Sequence, residues 1–158
     1  EDVLPSVYKA NEERYKGYTI RQLCQEMHDF YKERNIKEIQ KQMFRFDYFP
    51  KSVVNPQEAH FAFLRGQTDL IPMDQAEGRV AAEGALPYPP GVLCCFPGEV
   101  WGGPVLQYFL AWEEAINRMP GFAPELQGVY LKNEDGKKRV YCYVLKEEVA
   151  KRLSQPKA

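Results

Sequence analysis

The 158-residue chain has little histidine, no excess of charge of one sign and no long apolar run. Its 21 Lys and Arg residues nearly balance its 22 Asp and Glu residues, so the net charge is −1, which argues against a nucleic-acid-binding protein. No apolar stretch is long enough to span a bilayer, and no initial segment resembles a secretion signal. We therefore expect a cytoplasmic protein that binds neither nucleic acid nor membrane.

The cysteines do not form a C-x-x-C pair. Their spacing favours reduced, mostly buried thiols over a disulfide framework or a zinc site. Cys24 and His28 lie four residues apart on a predicted helix, which could be half of a metal site or a thiolate–imidazole pair. Nothing nearby supplies further ligands, so we expect a structural cysteine and no metal. The four cysteines are Cys24, Cys94, Cys95 and Cys142.

Capping signals predict the helices. Thr19, with Gln22 three residues later, forms a capping box for the first helix. Asn35 begins a second helix and Asn55-Pro56 a third, and Pro104 opens a fourth later in the chain. The predicted apolar face of the first helix comprises Ile20, Leu23, Cys24, Met27, Phe30 and Tyr31.

The second half of the chain is typical of short strands. A hairpin is predicted around the Asn133–Lys137 turn, with Val140, Cys142 and Val144 on one face. A short helix follows over 147–153. Helices first, then strands, a helix and a hairpin give an α+β pattern. The predicted strands are 69–72, 80–85, 92–96, 129–132 and 139–145.

One block, Leu86–Trp101, sets four prolines and two glycines in an apolar and aromatic stretch. Prolines fix φ and remove backbone donors, and glycines permit positive φ. Such stiffness suits a buried crossing segment or a surface that fits another surface. The block offers few groups that could move protons, so it does not indicate a catalytic centre.

This block resembles the C-terminal domain of bacterial PLP-dependent ornithine/lysine/arginine decarboxylases, and the ornithine branch fits best. The resemblance implies a helical N-terminal part packed on a small, mainly antiparallel sheet with a C-terminal hairpin. It also implies that 1–16 is a lead-in or linker from a PLP domain and that 17–158 is the decarboxylase C-terminal domain. Further similar segments are Gly17–Tyr31, Ala76–Arg79, Ala82–Leu86, Gly102–Phe109 and Pro120–Tyr130.

The parent reaction that the resemblance implies converts L-ornithine to putrescine and CO2 with PLP. In that family the PLP lysine follows a histidine, whereas the two histidines here precede Asp29 and Phe61. We therefore expect no catalytic and no cofactor-binding residue in this chain, and PLP only in the parent enzyme. The domain would pack on the PLP domain of the same parent chain, border the active-site entrance and support a homo-oligomer. A lysine or arginine decarboxylase is the alternative parent.

Three residues of the block are candidates for the substrate entrance or a domain interface: Tyr88, Glu99 and Trp101. The two aromatic side chains would supply contact area. Glu99 could face a cationic ligand, or lie near the positive end of the helix that follows. Acids outnumber bases between residues 80 and 130, which would suit a diamine, but solvated or capping glutamates are the favoured interpretation.

Two other functions stay open. The chain could be a regulatory module for a protein partner or for a guanine nucleotide, to which some enzymes of the family respond. The basic turn Lys137–Arg139 is favoured as a solvated hairpin end, and no Gly-rich phosphate loop is present. An independent thiol enzyme using Cys24 and His28 is the least favoured alternative.

Overall fold

The computed structural model describes residues 9–88 and 91–155. Its helices are α1 (Glu12–Tyr15), α2 (Ile20–Glu33), α3 (Ile36–Met43), α4 (Pro56–Leu64), α5 (Gly103–Arg118) and α6 (Glu147–Leu153). Its strands are β1 (Thr68–Pro72), β2 (Leu86–Tyr88), β3 (Glu125–Gln127), β4 (Tyr130–Glu134) and β5 (Lys137–Leu145). Short 3-10 helices lie at Phe46–Tyr48 and Met73–Gln75.

Two of the predicted caps, Thr19 and Asn55, make the expected side-chain bonds at the starts of their helices. The Thr19 hydroxyl accepts the Gln22 amide at 3.2 Å, and the Gln22 side chain accepts the Thr19 amide at 2.8 Å, which completes the capping box of α2. Asn55 caps α4 by accepting the Gln57 amide at 2.9 Å. Asn35 precedes α3 with a φ of 52° and makes no side-chain cap.

The sheet carries the core on both faces. Its order is β1-β5-β4, with both pairs antiparallel, so β5 is the central strand. On one face, Val140, Cys142 and Val144 are buried against α5, as the alternation predicted. On the other face, Leu145 and Tyr143 pack with residues of α4 and α6. The α+β class, the antiparallel sheet and the C-terminal hairpin are confirmed.

The N-terminal helices reach the sheet through α5. Phe30 of α2 packs with Ala115 of α5 and with Met119, the residue that follows α5, and the buried side chains of α3 join the core cluster that contains Phe109. The predicted apolar face of α2 is wrong in its first half, where Cys24 is exposed. The packing of α2 against α5 begins only at Met27, one turn further along.

The segments 80–85 and 92–96 are not regular strands, which corrects two predictions. They carry only isolated bridges, including Ala85 with Cys95 and Ala81 with Val144. Prolines remove donors around them, and the chain turns at 97–98. The strand in this region is instead β2, which pairs with β3 in a second sheet. Residues 89 and 90 of the block lie outside the described residues.

Residues 9–16, expected to belong to a lead-in, are partly packed. Tyr15 of α1 is buried, and Arg14 forms an ion pair with Glu26 of α2. This part of the segment therefore contacts the domain rather than running free of it. The domain boundary at residue 17 stays a prediction.

Candidate functional site

Glu99 lies in the turn near the end of the block Leu86–Trp101, which we call the stiff block. Its Oε2 accepts the Phe96 amide at 2.8 Å, and the amides of Val53 and Val54 donate to the Gly98 carbonyl at 3.0 and 3.1 Å. Burial raises the pKa of the Glu99 carboxyl, and the bond from Phe96 opposes part of that rise. Glu99 is therefore a half-buried carboxylate, and one of its oxygens accepts a hydrogen bond within its own turn.

Tyr88 and Trp101 lie in opposite environments. Tyr88 ends β2 with 53% of its surface exposed. Trp101 is only 1% exposed, and its ring meets Phe109 edge to face at 5.6 Å. A side chain so fully enclosed has no surface left to offer a substrate or another domain. This corrects the expectation for Trp101, which is a core residue.

The acidic residues around the block each bond within the chain. Glu83 accepts the Tyr130 hydroxyl at 2.8 Å, Glu113 accepts the Val140 amide at 2.6 Å, and Glu114 pairs with Arg34. Such internally bonded carboxylates fit the favoured structural interpretation. The local excess of acid does not form a free anionic site.

The thiols and histidines form no metal site. Across residues 9–88 and 91–155, no group of three or more His, Cys, Asp or Glu side chains could hold a metal ion. Cys24 is exposed, whereas the other three cysteines are buried. Burial raises the pKa of Cys94 to about 11 and that of Cys142 to about 12. These buried thiols are structural and poorly nucleophilic.

The basic turn is partly neutralised. Arg139 contacts both carboxylate oxygens of Asp74 at 2.7 Å and lies 3.6 Å from Glu134. Both bonds to Asp74 come from the same nitrogen, Nη2, while Nη1 is the atom near Glu134, so acidic side chains already surround the guanidinium that could otherwise bind a phosphate. The favoured interpretation of this turn as a hairpin end is consistent with these contacts.

A cavity of about 530 Å³ lies between α2, α3 and α5, and we call it the cationic groove. Trp112 meets Tyr31 edge to face at 6.2 Å in its lining. The Trp112 Nε1 is buried and has no hydrogen-bond partner within the described residues. The groove thus combines an aromatic surface with the cations Lys32 and Lys37. The lining residues are His28, Tyr31, Lys32, Asn35, Ile36, Lys37, Gln40 and Trp112.

The described residues do not fit PLP. A Schiff-base lysine needs a desolvated setting, yet the described lysines are exposed apart from the half-buried Lys146. The lining of the cationic groove contains no carboxylate that could pair with the pyridine nitrogen. No polar or charged residue in the described ranges is buried.

Comparisons with known proteins agree with this picture. Residues 37–146 match the family model described as Orn/Lys/Arg decarboxylase, C-terminal domain. The chain is 65% identical over 145 residues to the inducible ornithine decarboxylase of Escherichia coli, covering 92% of this chain and 20% of that protein. It is 34% identical over 155 residues to the inducible lysine decarboxylase of the same organism, covering 96% and 21%.

A solved structure shares the fold. Lysine decarboxylase A from Pseudomonas aeruginosa superposes with a TM-score of 0.81 at 29% identity, over 91% of this chain and 19% of that one. The chain thus spans about a fifth of the length of the proteins it matches. No helix of the described residues is long and apolar enough to cross a membrane.

Proposed function

The chain belongs to the family of Orn/Lys/Arg decarboxylase C-terminal domains, and from this we propose that it is the C-terminal domain of an ornithine decarboxylase. The parent enzyme would convert L-ornithine to putrescine and CO2. The observation that carries the proposal is the difference between 65% identity to an ornithine decarboxylase and 34% identity to a lysine decarboxylase of the same organism.

The domain acts as scaffold in this proposal. PLP, bound by the part of the parent outside this chain, supplies the electron sink for loss of the carboxylate. This chain packs on that part, borders the entrance to the active site and supports a homo-oligomer. Tyr88 is the exposed aromatic suited to the border, and Glu99 is the carboxylate suited to orient a cationic substrate there. Trp101 holds the block in shape from inside.

The substrate is tested with the full-length protein. Its kcat/KM for ornithine should exceed those for lysine and arginine by at least about tenfold, since the difference of one methylene or one guanidinium group is worth that much in a fitted pocket. A preference for lysine or arginine would contradict the ornithine assignment. It would leave the family membership intact.

A nucleotide-responsive regulatory role is a second candidate, favoured by the cationic groove. Lys32 and Lys37 have no acidic partner among the described residues, and Tyr31 and Trp112 offer ring surface for a base. Guanosine triphosphate titrated into the full-length protein should then bind, and Lys32→Gln with Lys37→Gln should weaken binding about tenfold or more. Lys137→Gln with Lys138→Gln, at the exposed hairpin end, is the matched control. Equal effects of both pairs would refute the groove as the site.

A further inference from the structure

An aromatic ridge projects from the end of α3. Phe46 is 87% exposed, and the three other large rings of the segment are between 42% and 52% exposed. Exposed rings are normally scattered singly over a protein surface, whereas here they follow one another along six residues. The aromatic ridge consists of Phe44, Phe46, Tyr48 and Phe49.

The ridge is held in place. Met43, the last residue of α3, is buried in the core, which fixes the start of the segment. The Tyr48 amide donates to the Arg45 carbonyl at 2.9 Å in the 3-10 helix, and the Phe46 and Phe49 rings meet at 6.1 Å. The rings therefore stand outward on an ordered support rather than on a loose loop.

The apolar surface continues beside the ridge. A cavity of about 320 Å³, which we call the ridge groove, runs between the end of α3 and the stiff block. Phe44 lines it together with Pro87, Val92 and Cys94. The stiff block therefore borders the same apolar surface as the ridge, and Tyr88 follows Pro87 directly.

The size of this surface calls for a macromolecular partner. The exposed parts of the four ridge rings amount to roughly 400 Å² of aromatic surface. A stable interface buries about 800 Å² on each side. The ridge rings alone would supply about half of one side, and the ridge groove would extend that area.

The charges around this surface have a small positive excess, since Lys37, Lys41 and Arg45 lie beside Glu38 and Asp47. Lys41 lies 3.8 Å from Glu38, and Arg45 lies 3.9 Å from Asp47, so these cations are locally matched. Lys37 lines the ridge groove and has no acidic partner within the described residues. A partner with an apolar centre and an acidic rim would be complementary.

We propose that the aromatic ridge and the ridge groove seat an apolar, acid-rimmed face of the PLP-binding part of the same parent polypeptide, an inference that rests on the proposed function. The chain spans about a fifth of its relatives, so a much larger body is joined to it in proteins of that length. Such a body is present at high effective concentration and can cover the ridge permanently.

Photo-crosslinking of the full-length protein tests which part of the protein covers the aromatic ridge. Phe46→p-benzoylphenylalanine places a photoreactive ketone on the most exposed ring. We expect a product with the mass of a single chain whose crosslinked peptide lies outside the 158 residues. A crosslink to a second copy, a crosslink within the 158 residues, or no crosslinked peptide would overturn the proposal. The same probe at Phe61, exposed on α4, should not reach that peptide.

Limited proteolysis provides the second readout. Phe46→Ser with Phe49→Ser should speed the release of a fragment that contains this domain from the full-length protein by about tenfold or more, because two rings lose their burial. Phe61→Ser with Leu64→Ser, which also removes two exposed apolar side chains, should change release less than twofold. Equal acceleration by both pairs would refute the ridge as the docking surface.

Ornithine turnover separates the two proposals. If the unsubstituted full-length protein decarboxylates ornithine but the photoreactive Phe46 variant gives no crosslink outside the 158 residues, the docking proposal alone is wrong. If the probe reaches the predicted region but ornithine is not decarboxylated, the docking proposal stands and the proposed function is wrong.

Discussion

Gly98 shows how one residue can fix the shape of the stiff block. Its φ is +87°, and a Cβ built there would lie 2.1 Å from the carbonyl oxygen of Val54. Both the dihedral and the close approach exclude a side chain. The turn that carries Glu99 depends on this glycine.

Gly98→Ala should lower the free energy of unfolding by about 2–4 kcal/mol, since it adds backbone strain and a clash with main-chain atoms. Urea unfolding of the chain measures this. Gly136→Ala is the control, because Gly136 has a similar φ of +79° with open space around it, and it should cost only about 1 kcal/mol. Equal losses would show that the approach to Val54 is not tight.

The raised pKa of Glu99 predicts a pH dependence of stability. The folded state holds this proton more tightly than the unfolded state, whose carboxyl titrates near its ordinary value of 4.5. Stability from this group is therefore greatest at low pH and falls as pH rises from about 4.5 through the raised pKa. Glu99→Gln keeps an acceptor for the Phe96 amide and removes the titration.

Urea unfolding from pH 4 to pH 8 measures this difference. The stability of the wild type relative to Glu99→Gln should decline with rising pH and then level off. A difference that grows in the opposite direction would mean that a cation, not burial, dominates at Glu99.

Thiol reactivity distinguishes Cys24 from the buried cysteines. In the folded chain, the Cys24 thiol should react with a disulfide reagent at the rate of an exposed thiol. The three buried thiols should react at least about a hundredfold more slowly, because burial raises their pKa and blocks access. Cys24→Ser should remove the fast phase. A second fast thiol would contradict the burial of the core cysteines.

The candidate residues could be predicted only in part. The sequence placed Tyr88 and Trp101 in one aromatic block, but an irregular segment has no periodicity from which to tell an exposed ring from a buried one. Glu99 stood out because it follows Pro97-Gly98. The cationic groove was missed because Lys32 and Trp112 are 80 residues apart and meet only in the fold.

At the scale of elements, the sequence predicted the helix starts and the hairpin, because residues close together in the chain determine them. The capping box at Thr19 and the Asn55 cap mark helix starts because side-chain and backbone groups bond within three residues. The hairpin was equally readable, since Asp135 and Gly136 adopt positive φ at its two-residue turn. The pairing of β2 with β3 was not predicted, because it joins segments about 40 residues apart.

The hairpin is tied to α5 by Asn117. The Asn117 side chain donates to the Lys138 carbonyl at 2.7 Å and accepts the Lys138 amide at 2.8 Å. Asn117→Ala should lower the free energy of unfolding by about 1–2 kcal/mol, because it removes these two hydrogen bonds and a third, from Asn117 to the Glu113 carbonyl at 2.8 Å, at an exposed site. Asn133→Ala, at an exposed position on β4, should change it by less than about 0.5 kcal/mol. Chemical denaturation measures both variants, and equal losses of stability would refute the role of Asn117 in holding the hairpin to α5.

For the whole molecule, the proposed division of labour follows from what is buried. The described core contains no buried polar or charged residue, while large aromatic side chains are exposed at the ridge. Docking surfaces need exposed apolar area, and the ridge supplies it. The stiff block, which identified the family, connects these features. Its interior face holds Trp101 in the core, and its exposed face borders the ridge groove.

We infer that this domain supports PLP chemistry without holding the cofactor. The full-length holoenzyme should be reduced with borohydride, which fixes PLP to its lysine, and the labelled peptide should be mapped by mass spectrometry. We expect a single labelled lysine outside the 158 residues, directly after a histidine. A label on any lysine within these 158 residues would contradict it.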